Sequence, residues 1–123
     1  MWISDGWRDY ELLDCGDGER LERWGKYYLV RPDPQAVWRR ASDDPRWSKP
    51  DARYIRSNSG GGHWEKYNIP ERWMISYNSL KFHIRAMNFK HTGIFPEQAT
   101  NWDWAAGLIK KANRPISVLN LYG

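Results

Sequence analysis

The residues flanking Asn78-Ser79 constrain the fold more than any other stretch of the chain. A two-residue turn there sets Tyr77 opposite Leu80, Ile75 opposite Phe82 and Trp73 opposite Ile84. All six are apolar, and period-two alternation places them on one face of a hairpin. Ser76, Lys81, His83 and Arg85 take the other face, which is expected to be wet. A slip of one residue would turn the polar set inward, so the register is well specified. The chain must therefore contain an antiparallel β element with one buried side.

The segments before this hairpin also read as β structure. Tyr10 to Asp14 and Leu21 to Arg31 predict two strands around the turn Cys15-Gly16-Asp17-Gly18. Pro32 and Pro34 end the second, because proline removes a donor from any ladder. Residues Arg39 to Arg46, between Trp38 and Trp47, mix charges with proline and predict an exposed connection. Ser57 to Gly62 predicts a mobile loop tip between Asp51–Arg56 and Trp64–Tyr67. Beyond Gln98 the period changes. Trp102, Ala105, Leu108, Ile109 and Ala112 follow helical spacing, and Lys110-Lys111 fall in the last turn, where cations suit the helix dipole. Asn113, Arg114 and Pro115 are expected to stop that helix.

Ile116 to Leu121 is a short, largely apolar run followed by Tyr122 and Gly123. It fits the first buried strand of an open parallel sheet. In doubly wound folds a cofactor is held where such a strand enters a glycine-bearing turn and a helix. A parallel strand without a crossover helix and a second strand has nothing to pair with. The chain therefore reads as the N-terminal piece of a larger enzyme. The expected class is α+β: a small antiparallel β module over residues 1–89, then a helix and the first strand of a truncated Rossmann-like domain over residues 90–123.

Composition narrows the functional classes. With 41% hydrophobic and 15% aromatic residues the chain is too apolar to remain disordered. Most of the nine tryptophans are expected in packing, although indoles also make stacking platforms. A net charge of +4 suits an anionic partner such as RNA. The single cysteine, Cys15, excludes an internal disulfide and a multi-cysteine metal site, and no activating group adjoins it in sequence. His63, His83 and His91 are scattered without metal-ligand spacing, so no metal is expected. The N-terminus lacks the apolar core of a signal peptide and no run is long enough for a membrane span, so the expected location is cytoplasmic.

Two segments carry the chemistry: Phe89-Lys90-His91-Thr92-Gly93-Ile94-Phe95-Pro96-Glu97-Gln98 and Val118-Leu119-Asn120-Leu121-Tyr122-Gly123. In this order, with one helix between them, they resemble class I S-adenosylmethionine-dependent methyltransferases. The nearest branch is similar to the large-subunit ribosomal RNA cytosine methyltransferases. There a Lys-Thr-Gly-aromatic-aromatic-X-Asp/Glu-Gln segment precedes a helix that leads to a strand of the form Val-Leu-Asn-Leu-aromatic. This chain departs from that pattern by placing His91 between Lys90 and Thr92, and by carrying Ile94 and Pro96. Leu21-Glu22-Arg23-Trp24-Gly25 and Leu29 to Gln35 also resemble the β-rich N-terminal part of one subgroup.

The resemblance implies S-adenosylmethionine as cofactor and RNA as the acceptor. It implies cofactor contacts from Thr92, Gly93, Phe95, Gln98, Asn120, Tyr122 and Gly123. Glycine permits close backbone approach, and hydroxyl and amide groups hydrogen-bond a zwitterionic ligand without adding charge. A plain turn at Thr92-Gly93 and a helix cap at Gln98 account for the same residues. Catalytic residues are expected beyond Gly123, so the chain by itself is expected to be inactive. Arg39, Arg40, Arg46, Arg53 and Arg56, interleaved with aromatics, are expected to form a basic surface suited to RNA phosphates, and a solvated face over a packed core accounts for the same residues equally well. The competing function is a non-catalytic RNA-binding β module that uses this surface.

Overall fold

The computed structural model describes residues 2–121. It is a mixed α+β structure dividing into two compact units, Gly6–Ile94 and a smaller one formed by the residues before Gly6 together with those from Phe95 onward. The larger unit holds a five-stranded sheet of β1 (Tyr10–Gly16), β2 (Glu19–Trp24), β3 (Tyr27–Pro32), β4 (Ala52–Arg56) and β5 (Gly62–Lys66), in that spatial order. A separate two-stranded sheet pairs β6 (Trp73–Tyr77) with β7 (Leu80–Ile84).

The β6–β7 register agrees with the sequence pattern: Tyr77 faces Leu80, Ile75 faces Phe82 and Trp73 faces Ile84. Asn78 turns the chain in the left-handed region with φ 51°. Ile75, Tyr77 and Ile84 are buried, but Leu80, at the turn, is 47% exposed, so the expected six-residue buried face is incomplete. Trp7 closes the inner side, with ring centroids 4.7 Å from Tyr77 and 6.1 Å from Phe82. Aromatic contacts continue to the main sheet through Trp7–Tyr10 and Tyr10–Trp24, and the Trp73 indole donates to the Trp24 carbonyl at 3.0 Å.

Three expectations need correction. Leu21 to Arg31 is not one strand but two, β2 and β3, folded back at Gly25-Lys26. Gly25 takes φ 66°, which a residue with a β-carbon rarely adopts. The module is also not wholly antiparallel, because β3 and β4 pair in parallel through Leu29–Ala52 and Val30–Arg53. The intervening residues form a crossover, as a parallel pair requires, and none of residues 39–46 within it is buried, in keeping with the expected exposed connection. Trp47, in the short 3-10 turn Pro45–Trp47, is buried against Leu21 and Val30. Asp14 ties the crossover down by accepting from the backbone N–H groups of Cys15, Ala41 and Ser42 and from the Trp47 indole.

The third correction concerns the end of the chain. In the smaller unit α1 (Ala99–Ala112) forms as the helical period predicts and ends at Asn113, which sits in the left-handed conformation with φ 46°. Residues 115–120 that follow adopt no strand. A segment without a paired strand gains no ladder hydrogen bonds, and among the described residues no strand pairs with this one. Val118, Leu119 and Leu121 are exposed. Tyr122 and Gly123 lie outside the described residues. No helix among those described is long and apolar enough to cross a membrane.

Candidate functional site

The second face of the β2–β3 pair carries charge where the strand alternation calls for apolar residues. Glu22 and Trp24 share one phase of β2, and Leu29 and Arg31 share the matching phase of β3. Both charged side chains are buried. Arg31 grips the Glu22 carboxylate with two bonds, Nε at 2.6 Å and Nη2 at 2.7 Å, and the Tyr10 hydroxyl donates to the same carboxylate at 2.9 Å. Burial, and then the Glu22 charge, push the Tyr10 hydroxyl well above the usual phenol range, so it remains a donor. The Arg31 guanidinium also lies 5.2 Å from the Trp24 ring centroid. Breaking either partner would leave a charge buried alone.

This pair positions the segment that carries the sequence motif. The remaining arm of Arg31, Nη1, donates to the Lys90 carbonyl at 2.9 Å. The Trp64 indole donates to the neighbouring Phe89 carbonyl, also at 2.9 Å. Backbone bonds from Arg85 to Thr92 and from Met87 to His91 close the segment on itself. Residues 85–92 are thus a loop clamped at both carbonyls, a setting in which following residues present fixed geometry. Thr92 is fully buried, and its hydroxyl has no hydrogen-bond partner. A buried hydroxyl left unpaired carries a desolvation cost, which makes it a candidate contact for something absent here. Gly93 takes φ 112°, and a β-carbon there would meet the His83 carbonyl oxygen at 3.4 Å.

The remaining residues assigned from the motif belong to the smaller unit. Phe95 is exposed and precedes the 3-10 turn Pro96–Gln98. Gln98 occupies the N-cap position of α1 without making a side-chain cap bond; its amide oxygen accepts from Asn101 at 2.8 Å. Capping therefore does not explain this glutamine. Asn120 is exposed beyond the helix. The division at Ile94–Phe95 sets Thr92 and Gly93 in one unit and Phe95, Gln98 and Asn120 in the other.

The arginines expected to form a basic surface serve different ends. Arg40 and Arg53 both bind Glu19, each at 2.6 Å, and Arg40 stacks 4.0 Å from the Trp47 centroid. Arg46 is paired with Asp44 and lies over the Tyr28 ring. These three hold the crossover against the sheet. Arg39 and Arg56 are exposed. Among the described residues, no group of three or more His, Cys, Asp or Glu side chains could hold a metal ion.

The motif residues were legible as a cluster in sequence, but the clamp behind them was not. Glu22 and Arg31 look like solvated strand charges until their phase is compared with Trp24 and Leu29. That phase is the one signal that could have exposed them.

Compared with solved structures, the chain matches the crystal structure of the SAM-dependent methyltransferase from Agrobacterium tumefaciens. The sequences are 38% identical and the TM-score is 0.87, over 98% of this chain and 39% of that one. The chain thus spans well under half the length of the methyltransferase it matches. No protein-family model matches it, and neither does any curated protein.

Proposed function

We propose that this chain is part of an S-adenosylmethionine-dependent methyltransferase that acts on RNA. One observation carries the reading: 38% identity and a TM-score of 0.87 to a SAM-dependent methyltransferase, sustained over 98% of the chain. The Thr92-Gly93 segment, clamped through Arg31 and Trp64, lies within that match. When bound, the cofactor supplies a methyl group already activated by the sulfonium. The residues here would bind and orient it. Their chemistry suits that ligand: a buried hydroxyl without a partner, a glycine allowing close approach, an aromatic ring and amides, with no excess charge. Thr92, Gly93, Phe95, Gln98 and Asn120 are the proposed contacts. Holding the donor in line with an acceptor and excluding water is the protein's main contribution to such a transfer. None of these groups is suited to act on the acceptor itself, so turnover by the 123 residues alone is not expected. An RNA acceptor is supported by the net charge of +4.

The test is a titration of S-adenosylmethionine into the chain and its Gln98→Ala variant. We expect the variant to lose about 1–3 kcal/mol of binding free energy, the range for a hydrogen bond to a charged group, with an unchanged melting temperature. Unchanged affinity with a lowered melting temperature would make Gln98 structural only. No binding by the unaltered chain would count against the reading as a whole.

A further inference from the structure

The β4–β5 connection and the clamped loop face each other across a cleft of about 450 Å3, lined by Tyr54, Arg56, Ser57, Asn58, Gly60, Gly61 and residues 89–91. All of these belong to the larger unit. The β4–β5 loop returns tightly onto its own strand. At Gly62 a β-carbon would lie 2.1 Å from the Ile55 carbonyl oxygen and 2.7 Å from the Tyr54 ring, so only glycine brings the loop back this close to its own strand. On the opposite wall, the Phe89 and Lys90 carbonyls are fixed by Trp64 and Arg31, while the Phe89 side chain remains 63% exposed. An aromatic ring open to solvent offers a base a stacking surface.

The electrostatics of the cleft are one-sided. Lys90 and Arg56 line it and, among the described residues, neither makes an ion pair. Burial first, and then the charges of Arg20, Arg56 and Arg31, hold the Lys90 ammonium below the usual lysine range, against the opposing charge of Asp33. Arg31 is already matched by Glu22, and Arg20 lies 3.9 Å from Asp33. The neighbourhood therefore keeps two cations, Lys90 and Arg56, with no carboxylate of their own. An anion entering between them would relieve the repulsion and gain charge-assisted hydrogen bonds.

We propose that this cleft binds the phosphate of a nucleotide between Lys90 and Arg56, with the base stacked on Phe89. The proposal deepens the RNA-acceptor reading and rests on it for the source of that phosphate, a strand of RNA. The phosphate-and-base chemistry is shared by free mononucleotides, so both are tested. It also gives Lys90 and Arg56 a role distinct from that of Thr92 and Gln98.

Backbone amide spectra of the 123-residue chain should be recorded during titration with AMP, adenosine, inorganic phosphate and a short single-stranded oligoribonucleotide. AMP and the oligoribonucleotide should shift the amides of residues 57–61 and 89–91, and phosphate should compete, whereas adenosine should leave them in place. Arg56→Gln, at an exposed position, and Lys90→Gln should each weaken AMP binding at least tenfold. Phe89→Ala should weaken AMP but not phosphate. Tighter binding of the oligoribonucleotide than of AMP through the same amides assigns the site to an RNA strand; equal binding assigns it to a mononucleotide. Adenosine binding as well as AMP, shifts scattered over the whole basic surface, or an unchanged affinity in the folded Arg56→Gln variant would overturn the proposal. So would S-adenosylmethionine shifting the amides of residues 57–61, on the wall away from Thr92, because the cleft would then belong to the cofactor. If S-adenosylmethionine binds elsewhere and nucleotides do not bind, the cleft assignment falls while the methyltransferase reading stands.

Discussion

In the larger unit Trp24, Leu29, Ile75 and Ile84 lie wholly out of reach of water, whereas in the smaller one Leu108 is 48% exposed and Ile109 43% exposed. Both groups follow a clear period in sequence, alternation for the strands and helical spacing for α1. The difference lies in what stands opposite each face. β2 and β3 have strand neighbours on both sides, β6 and β7 pair with each other, and the rings of Trp7, Tyr10 and Trp73 seal them. The helix forms from its own backbone bonds, but its apolar stripe is left largely open. A periodic pattern therefore specifies which face is apolar, and says nothing about whether that face is covered. Burial energy scales with area removed from water, so the two units should respond very differently to the same kind of substitution.

The sharpest way to break this contrast is to strike the buried pair behind the clamped loop. Glu22→Ala leaves Arg31 buried without its carboxylate, and we expect a loss of about 3–5 kcal/mol in urea unfolding. A loss under 1 kcal/mol would mean that water reaches this pair and that the larger unit is not sealed. Next in size is a pair of truncations, one in each unit. Ile75→Ala should cost about 2–5 kcal/mol, and Leu108→Ala no more than about 0.5 kcal/mol, as for surface positions generally. Similar values for the two would remove the distinction drawn between the units.

The smallest effect is one of pH. Burial by itself would raise the Asp14 carboxyl, but hydrogen bonds from the Trp47 indole and from the backbone N–H groups of Ala41, Ser42 and Cys15 outweigh it and hold it below the usual range. A carboxylate lowered on folding contributes stability that is fully present above its unfolded value, about pH 4, and is lost as pH falls through the folded value. The melting temperature of the unaltered chain should thus fall more steeply below about pH 4 than that of Asp14→Asn. Parallel acid limbs would show that the crossover does not depend on this carboxylate.

Several features were readable without coordinates. The β6–β7 register followed from six alternating apolar residues around a two-residue turn. The helix from Ala99 to Ala112 followed from its spacing and from Asn113-Arg114-Pro115. Both are local: hydrogen bonds and side-chain period repeat within a few residues, so the sequence alone determines them. The motif from Lys90 to Gln98 was visible for a similar reason, as a contiguous string of residue types. What only the tertiary structure decided was pairing at a distance. The turn at Gly25 splits one apparent strand in two, β3 finds a parallel partner in β4, and Trp47, at the edge of the exposed connection, packs on Leu21 and Val30. Above all, Glu22 meets Arg31 on a buried face, and Arg31 in turn reaches the Lys90 carbonyl. A charged residue on a strand reads as exposed until the groups that meet it are known, and for Arg31 one of them, the Lys90 carbonyl, lies 59 residues further along the chain. That proximity is set by how the sheet folds and packs, which no run of neighbouring residues encodes.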